Sequence, residues 1–171
     1  MWLRERLVLT LAALILVMGL SACTVRPLYS ASIGEEGPQA DLPAINVQEP
    51  TTRPEQVFRN ALLFGLRNGG DGADTRYGLI YRMTVREQEI AIERGTGTPN
   101  AYQLTGGVSF LLKDASTGDS IFGASVTALD SYTRSSQNFS NMRARRDAED
   151  RLANTLAELT QARLAAYFAT H

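Results

Sequence analysis

Between Tyr77 and Val85 apolar side chains occupy every second position, as Tyr77, Leu79, Tyr81, Met83 and Val85, while Arg82, Thr84 and Arg86 point the other way. A strict period of two is the geometry of a strand with one buried and one wet face. The pattern recurs twice. Tyr102, Leu104, Val108, Phe110 and Leu112 form a second run, in which Gly106-Gly107 allows a kink, and Phe122, Ala124, Val126, Ala128 and Tyr132 form a third. Gly95, Gly97 and Pro99 punctuate the first interval and Ser116-Thr117-Gly118-Asp119 the second, so the three strands are expected to form an antiparallel meander. Ile90 and Ile92 have the opposite parity to Val85, which predicts a bulge or change of face near Arg86 to Glu89.

Ahead of the meander, Leu42 to Val47 alternates from Ile45 and reads as a short strand with Pro43 near its start. Thr52-Arg53-Pro54-Glu55 has capping-box spacing, and Pro54 suits a first helical turn. Val57, Ala61, Phe64 and either Leu62 or Leu63 continue at helical spacing until Asn68-Gly69-Gly70. Polar residues Asp71 to Arg76 then lead to the next strand, an arrangement that invites a parallel crossover. After the meander, about Phe139 to Phe168 lacks Gly and Pro, and Ala148, Leu152, Leu156, Leu159 and Tyr167 fall near one helical stripe. Its early part, rich in Arg and Asp, is expected to extend past the sheet. The order β-α-β-β-β-α predicts an α+β fold: a two-layer sandwich in which two helices cover one face of a four-stranded mixed sheet.

The N-terminus carries a different message. Trp2, Arg4 and Arg6 precede an apolar run, Leu7 to Leu20, and Leu20-Ser21-Ala22-Cys23 reads as a lipobox ending at the only cysteine. The apolar run is shorter than the roughly 20 residues of a membrane span. Residues 1–22 are therefore read as a lipoprotein signal peptide, 23–40 as a lipidated N-terminus and tether, and 41–171 as the α+β domain. Acyl chains on Cys23 would anchor the protein to membrane lipid. The same acylation would leave no thiol for a disulfide, so the core alone must hold the fold. By resemblance to bacterial lipoproteins, Thr24 in place of Asp after the cysteine looks like release to the outer membrane, with the domain facing the periplasm.

The formal charge of −1, or −2 once Arg4, Glu5 and Arg6 leave with the leader, does not announce a nucleic-acid partner. Lys113 is the only lysine among the 17 basic residues, a bias that a GC-rich genome explains as well as phosphate binding does. Catalysis finds little support. His171 is the sole histidine, no serine lies in a nucleophile elbow, and no clustered ligand set suggests a metal. Glu87 and Glu89 have the types and spacing of an acid-base pair, yet same-face glutamates on a strand are usually solvated. Gly95-Thr96-Gly97 lacks the Lys and following helix of a phosphate loop, and no cofactor is expected.

Cys23-Thr24-Val25-Arg26-Pro27-Leu28-Tyr29 resembles the mature start of the LptE family of lipopolysaccharide-assembly lipoproteins, in its alphaproteobacterial form. The similarity continues through the Ile92-Glu93-Arg94-Gly95 to Tyr102-Gln103-Leu104 turn and Arg145-Arg146-Asp147-Ala148, although Thr24 and Val25 depart from the family's usual Gly and aromatic residue. The resemblance implies a plug in the lumen of the outer-membrane β-barrel LptD that aids barrel assembly and contacts lipopolysaccharide. It implies lipopolysaccharide contacts at Arg94 and, near the start of the last helix, at Arg143 or Arg145. A solvated turn charge is the alternative reading of Arg94. Arg26, Pro27, Leu28 and Tyr29 would meet the barrel wall, or else serve as plain linker. The rival function is that of an auxiliary lipoprotein of an envelope phospholipid-transport ABC system, because a shared fold does not decide function.

Overall fold

The computed structural model describes residues 41–67, 69–70, 73–92 and 99–170. Four strands, β1 (Ile45–Val47), β2 (Tyr77–Ile92), β3 (Pro99–Asp114) and β4 (Ser120–Thr133), lie in one sheet in the order β1-β2-β3-β4. Helix α1 (Arg53–Arg67) joins β1 to β2, and α2 (Asn138–Phe168) follows β4. β1 is parallel to β2, whereas β2-β3 and β3-β4 are antiparallel, so the meander and the parallel crossover pairing both form as the patterning predicts. The fold is the expected α+β sandwich.

Local chemistry explains where the elements start. Leu42–Ala44 forms a 3-10 turn rather than the beginning of the first strand, and Pro43 sits in its first turn, where a missing amide proton costs nothing. β1 is left with only three residues. At α1 the capping box closes in both directions: the Glu55 carboxylate accepts from the backbone amides of Thr51 (2.7 Å) and Thr52 (3.3 Å), and the Glu55 amide donates to the Thr52 hydroxyl (3.4 Å). Partial burial works to raise the Glu55 pKa, but these bonds prevail and hold it below the ordinary value. Between β3 and β4, the Asp114 carboxylate accepts from the amides of Ser116 (2.8 Å) and Thr117 (3.2 Å), which shapes the turn ahead of Gly118.

The buried face of the sheet is the one that the alternation names: Leu79 and Tyr81 of β2, Tyr102, Leu104, Val108, Phe110 and Leu112 of β3, and Val126, Ala128 and Tyr132 of β4. The α1 stripe is shifted by about one residue from the expected one, whereas α2 buries the expected Ala148, Leu152 and Leu156 and departs at Leu159. α1 buries Phe58, Leu62 and Leu66, and Phe64 stands 71% exposed. α2 buries Leu152, Leu156, Thr160 and Leu164 at intervals of four, with Ala148, Ala153, Ala157 and Ala165 beside them, while Leu159 faces outward. Thr160 is tolerated in this stripe because its hydroxyl donates to the Leu156 carbonyl at 2.8 Å. The bulge lies slightly beyond the expected place: Glu89 opposes Tyr102 and Ala91 opposes Ala101, so Ile90 is the extra residue.

α2 runs the length of the sheet. Its 31 residues span about 46 Å, against about 53 Å for the 16 residues of β2 or β3. At its C-terminal end Tyr167 stacks on Phe122 near the start of β4, with ring centroids 4.6 Å apart, and Phe168 meets Tyr77 of β2 at 5.2 Å. Toward its N-terminal end, Arg151 grips Asp130 of β4 and Arg145 reaches Glu87 of β2. The polar early part of the helix is thus fastened over the sheet from Arg145 onward, and only the turns before it, with Phe139 and Met142, stand clear.

Gly106 controls how closely this helix lies. A Cβ there would meet Leu156 Cδ1 at 2.8 Å and Leu152 Cδ2 at 2.9 Å, whereas a Cβ at Gly78 would meet nothing within 4 Å. G106A is expected to cost about 1–3 kcal/mol by overpacking, and G78A to leave stability within about 0.5 kcal/mol of the parent. Urea unfolding of both variants checks the contrast.

Candidate functional site

The hydrophobic face of the meander ends in charge. Glu87 continues the parity of Val85 and so lies on the helix side of β2, while Arg134, the first residue past β4, shares its face with Tyr132. Neighbouring registers pair Glu87 with Leu104, Glu89 with Tyr102 and Tyr102 with Tyr132, which brings these side chains to one end of the sheet under α2. The Tyr102 and Tyr132 rings stack with centroids 5.4 Å apart, and the Arg134 guanidinium lies 4.0 Å from the Tyr102 centroid.

Glu87 joins the three elements. Its Oε1 accepts from the Tyr132 hydroxyl at 2.8 Å and from Arg134 Nη2 at 3.1 Å, and its Oε2 lies 3.2 Å from Arg145 Nε. Arg134 Nη2 also donates to the Tyr132 oxygen at 2.9 Å. Arg145 in turn meets Glu149 one helical turn on, at 3.1 Å. A second clamp lies alongside: Arg151 forks onto Asp130 through Nε (3.0 Å) and Nη2 (2.8 Å), donates to the Ser131 carbonyl and pairs with Asp147.

These contacts bias protonation in consistent directions. Desolvation first, and then the hydrogen bond to the Glu87 carboxylate, raise the Tyr132 pKa above the usual phenol value. Partial burial pulls Arg134 down, but its bond to Tyr132 and the charge of Glu87 outweigh this and raise it. The hydrogen bond to Asp130 raises Arg151. Both guanidiniums therefore remain charged throughout the physiological range.

Arg134, Asn138, Asn141, Met142 and Arg145 line an open cleft of about 430 Å³ at this corner. The helical members, Asn138, Asn141, Met142 and Arg145, follow the i, i+3, i+4, i+7 stripe of α2. Asn141 ties the helix start down, its side chain accepting from the Ser135 amide and donating to the Ser135 carbonyl, both at 2.8 Å. Chemically the cleft offers two guanidiniums, two amides and a thioether. That set suits an anionic group with an apolar neighbour. Among the described residues there is no cluster of His, Cys, Asp and Glu able to hold a metal, and no helix is long and apolar enough to cross a membrane.

Of the residues singled out from sequence, Arg145 lies in this cleft. Arg143 is exposed on α2 and does not line it. Cys23, Arg26, Pro27, Leu28, Tyr29 and Arg94 lie outside the described residues. Arg134, Asn138, Asn141 and Met142 were not singled out, and Glu87, read as one of two solvated glutamates, is the carboxylate that links β2, β4 and α2. The available signal was parity: Glu87 and Tyr132 fall on the buried phase of their strands, and a charge on that phase at a sheet end calls for partners.

The phenol of Tyr132 gives the cluster a testable pH dependence. A raised pKa in the folded state means that its contribution is complete below the unfolded value of about 10 and is lost as pH rises through the folded value. Y132F is expected to cost roughly 0.5–1.5 kcal/mol at neutral pH, and the stability gap between parent and variant is expected to shrink above pH about 10. Urea titrations across alkaline pH measure both effects.

Comparison with known proteins agrees with this architecture. Residues 42–164 match the model of the family LptE, described as "Lipopolysaccharide-assembly". Among solved structures, a Caulobacter crescentus CB15 protein assigned as a lipoprotein superposes with a TM-score of 0.64 at 25% identity, covering 78% of this chain and 97% of its own. A minor lipoprotein from Acinetobacter baumannii gives 0.57 at 20% identity, covering 72% and 90%. The rare lipoprotein B from Shewanella oneidensis gives 0.51 at 13%, covering 74% and 92%. The last two speak for the fold alone. No curated protein matches the sequence. With the family model spanning α1, all three long strands and nearly all of α2, the chain belongs to the LptE lipopolysaccharide-assembly family.

Proposed function

We propose that this chain is an outer-membrane lipoprotein, anchored through acylated Cys23 and facing the periplasm, that plugs the LptD barrel, aids its assembly and binds lipopolysaccharide on its way to the outer leaflet. Family membership, the observation that carries this reading, supports a role in lipopolysaccharide transport and assembly, and a binding rather than an enzymatic role is part of the proposal. The signal peptide over 1–22, the tether over 23–40 and the domain over 41–171 belong to the same proposal, with Arg26, Pro27, Leu28 and Tyr29 meeting the barrel.

The domain's chemistry is compatible with enclosure. The sheet face away from the helices carries Arg82, Arg86 and Lys113 with Thr84, Thr105, Ser109, Ser125 and Thr127, beside exposed Ile80, Leu111 and Leu129, and its charged and hydroxyl groups suit a water-filled barrel lumen, whose lining is polar. For lipopolysaccharide, the phosphates of lipid A match arginine forks, which donate hydrogen bonds in pairs. Arg145, in the cleft, is the first contact to test here; Arg94 and Arg143 complete the proposed set. The family match gives lipopolysaccharide precedence over phospholipid carried by an ABC system.

Purification of the tagged protein from outer membranes in mild detergent is expected to recover LptD in equal amount. Recovery of an ABC transporter complex without LptD would overturn the proposal. R145A is expected to weaken lipopolysaccharide binding about three- to tenfold, the loss of one charge-assisted contact, as read by titration with purified lipopolysaccharide.

A further inference from the structure

The two arginines of the cleft already hold an anion. Glu87 offers one oxygen to Arg134 and the other to Arg145, so a single carboxylate bridges the strand end and the helix. Its side chain is only 22% exposed, and its bridging position resembles that of a phosphate held between two guanidiniums. The positions of the forks are set by other contacts as well: Arg134 by its stacking on Tyr102 and its bond to Tyr132, Arg145 by Glu149. Arg145 engages both carboxylates through Nε, leaving its two Nη atoms outside these pairs, and half of its side chain is exposed. Counted together, Glu87 and Glu149 neutralise Arg134 and Arg145.

We infer that Glu87 is the built-in counter-ion of this cleft and sets its selectivity: it aims the two arginines at one point and screens them from weak anions, and a phosphate-bearing amphiphile takes over its place between them. The inference rests on the reading of Arg145 as a lipopolysaccharide contact and adds a residue that works against binding. A phosphate monoester carries about −1.5 to −2 charge and three acceptor oxygens, and so competes well for forks that a single carboxylate holds. Ion pairs with partly exposed arginines contribute little to stability, so giving one up to a ligand costs the protein little. The amphiphilic character follows from the surroundings. Met142 lines the cleft, and Phe139, three residues earlier on the same side of α2, is 82% exposed. Asn138 and Asn141 supply neutral donors beside the charged ones.

The experiment is a titration of the full protein with lipid A in neutral detergent micelles, comparing the parent with E87Q and with E49Q. Glutamine keeps the Oε1 acceptor for Tyr132 and removes the charge. Glu49, two residues past β1, 83% exposed and paired with Arg59 of α1, lies outside the cleft and controls for net charge. E87Q is expected to bind about three- to tenfold more tightly than the parent, with a steeper salt dependence, and E49Q to match the parent. Equal affinities of E87Q and parent, or equal gains in E87Q and E49Q, overturn the role of Glu87 while leaving lipopolysaccharide binding intact. Absence of binding by parent and E87Q alike overturns both readings. Should E87Q not fold, nitrogen-15 NMR of arginine Nε in the parent replaces it: lipid A is expected to shift both Arg134 and Arg145, and shifts in neither overturn the inference.

Discussion

The contact between Gly106 and the Leu152-Leu156 ridge of α2 governs the rest of the domain. A sheet of long strands needs a cover along its whole buried face, and α2 is the only element among the described residues long enough to supply it. The absent side chain at Gly106 lets the helix settle at the middle of β3. Once the middle is fixed, the rigidity of a helix fixes both ends: Tyr167 and Phe168 reach the start of β4 and β2, and Arg151 and Arg145 reach their far ends. The placement of Arg145 at one corner is thus a consequence of packing about two turns away.

The two ends of α2 are held by different forces, and the difference has functional content. At the C-terminal end, four aromatic rings, Phe122, Tyr167, Phe168 and Tyr77, form a continuous chain of contacts with large apolar area, the kind of interaction that secures a fold. At the N-terminal end the buried phase of the strands holds Glu87, Asp130 and Tyr132 in place of aliphatic residues, and the helix answers with Arg145 and Arg151. Ion pairs with half-exposed arginines contribute little to stability and exchange partners readily. A corner fastened in this way can give up a contact to a ligand without endangering the core.

Strand patterning was legible because the period of two is strict and the sheet has one wet face: Leu79, Tyr81, Leu104, Phe110 and Val126 all lie where alternation puts them. Helix phase was harder to read. In α1 apolar residues at 57, 58, 61, 62, 63, 64 and 66 populate more than one face, and only packing selects Phe58, Leu62 and Leu66 over Phe64. In α2 a buried threonine broke the apolar stripe, and its self-satisfaction through the Leu156 carbonyl is invisible until the helix exists. At the site, resemblance led to Arg143 or Arg145 without choosing between them, and the residues that set Arg145 in the cleft come from β2 and from the end of β4, separated by 47 positions in the chain. Such an encounter depends on register, and the register of a hairpin is set by turn and bulge geometry that composition does not display.

Acids are distributed unevenly over the two faces of the sheet. Glu87, Glu89 and Asp130 all have the parity of the helix-covered face, whereas the open face of the three long strands bears Arg82, Arg86 and Lys113 and, among the described residues, no acid. A chain with net charge of −1 has therefore sorted its charges by face. On the covered side, Glu87 and Asp130 meet arginines of α2; on the open side, the cations share the face with hydroxyl groups and with exposed Ile80, Leu111 and Leu129. Burying the three cations of that face against an apolar surface would cost several kcal/mol apiece, so whatever lies against them must offer acceptors or negative charge. The polar lining of a water-filled barrel lumen satisfies that requirement, and a lipid-facing surface does not.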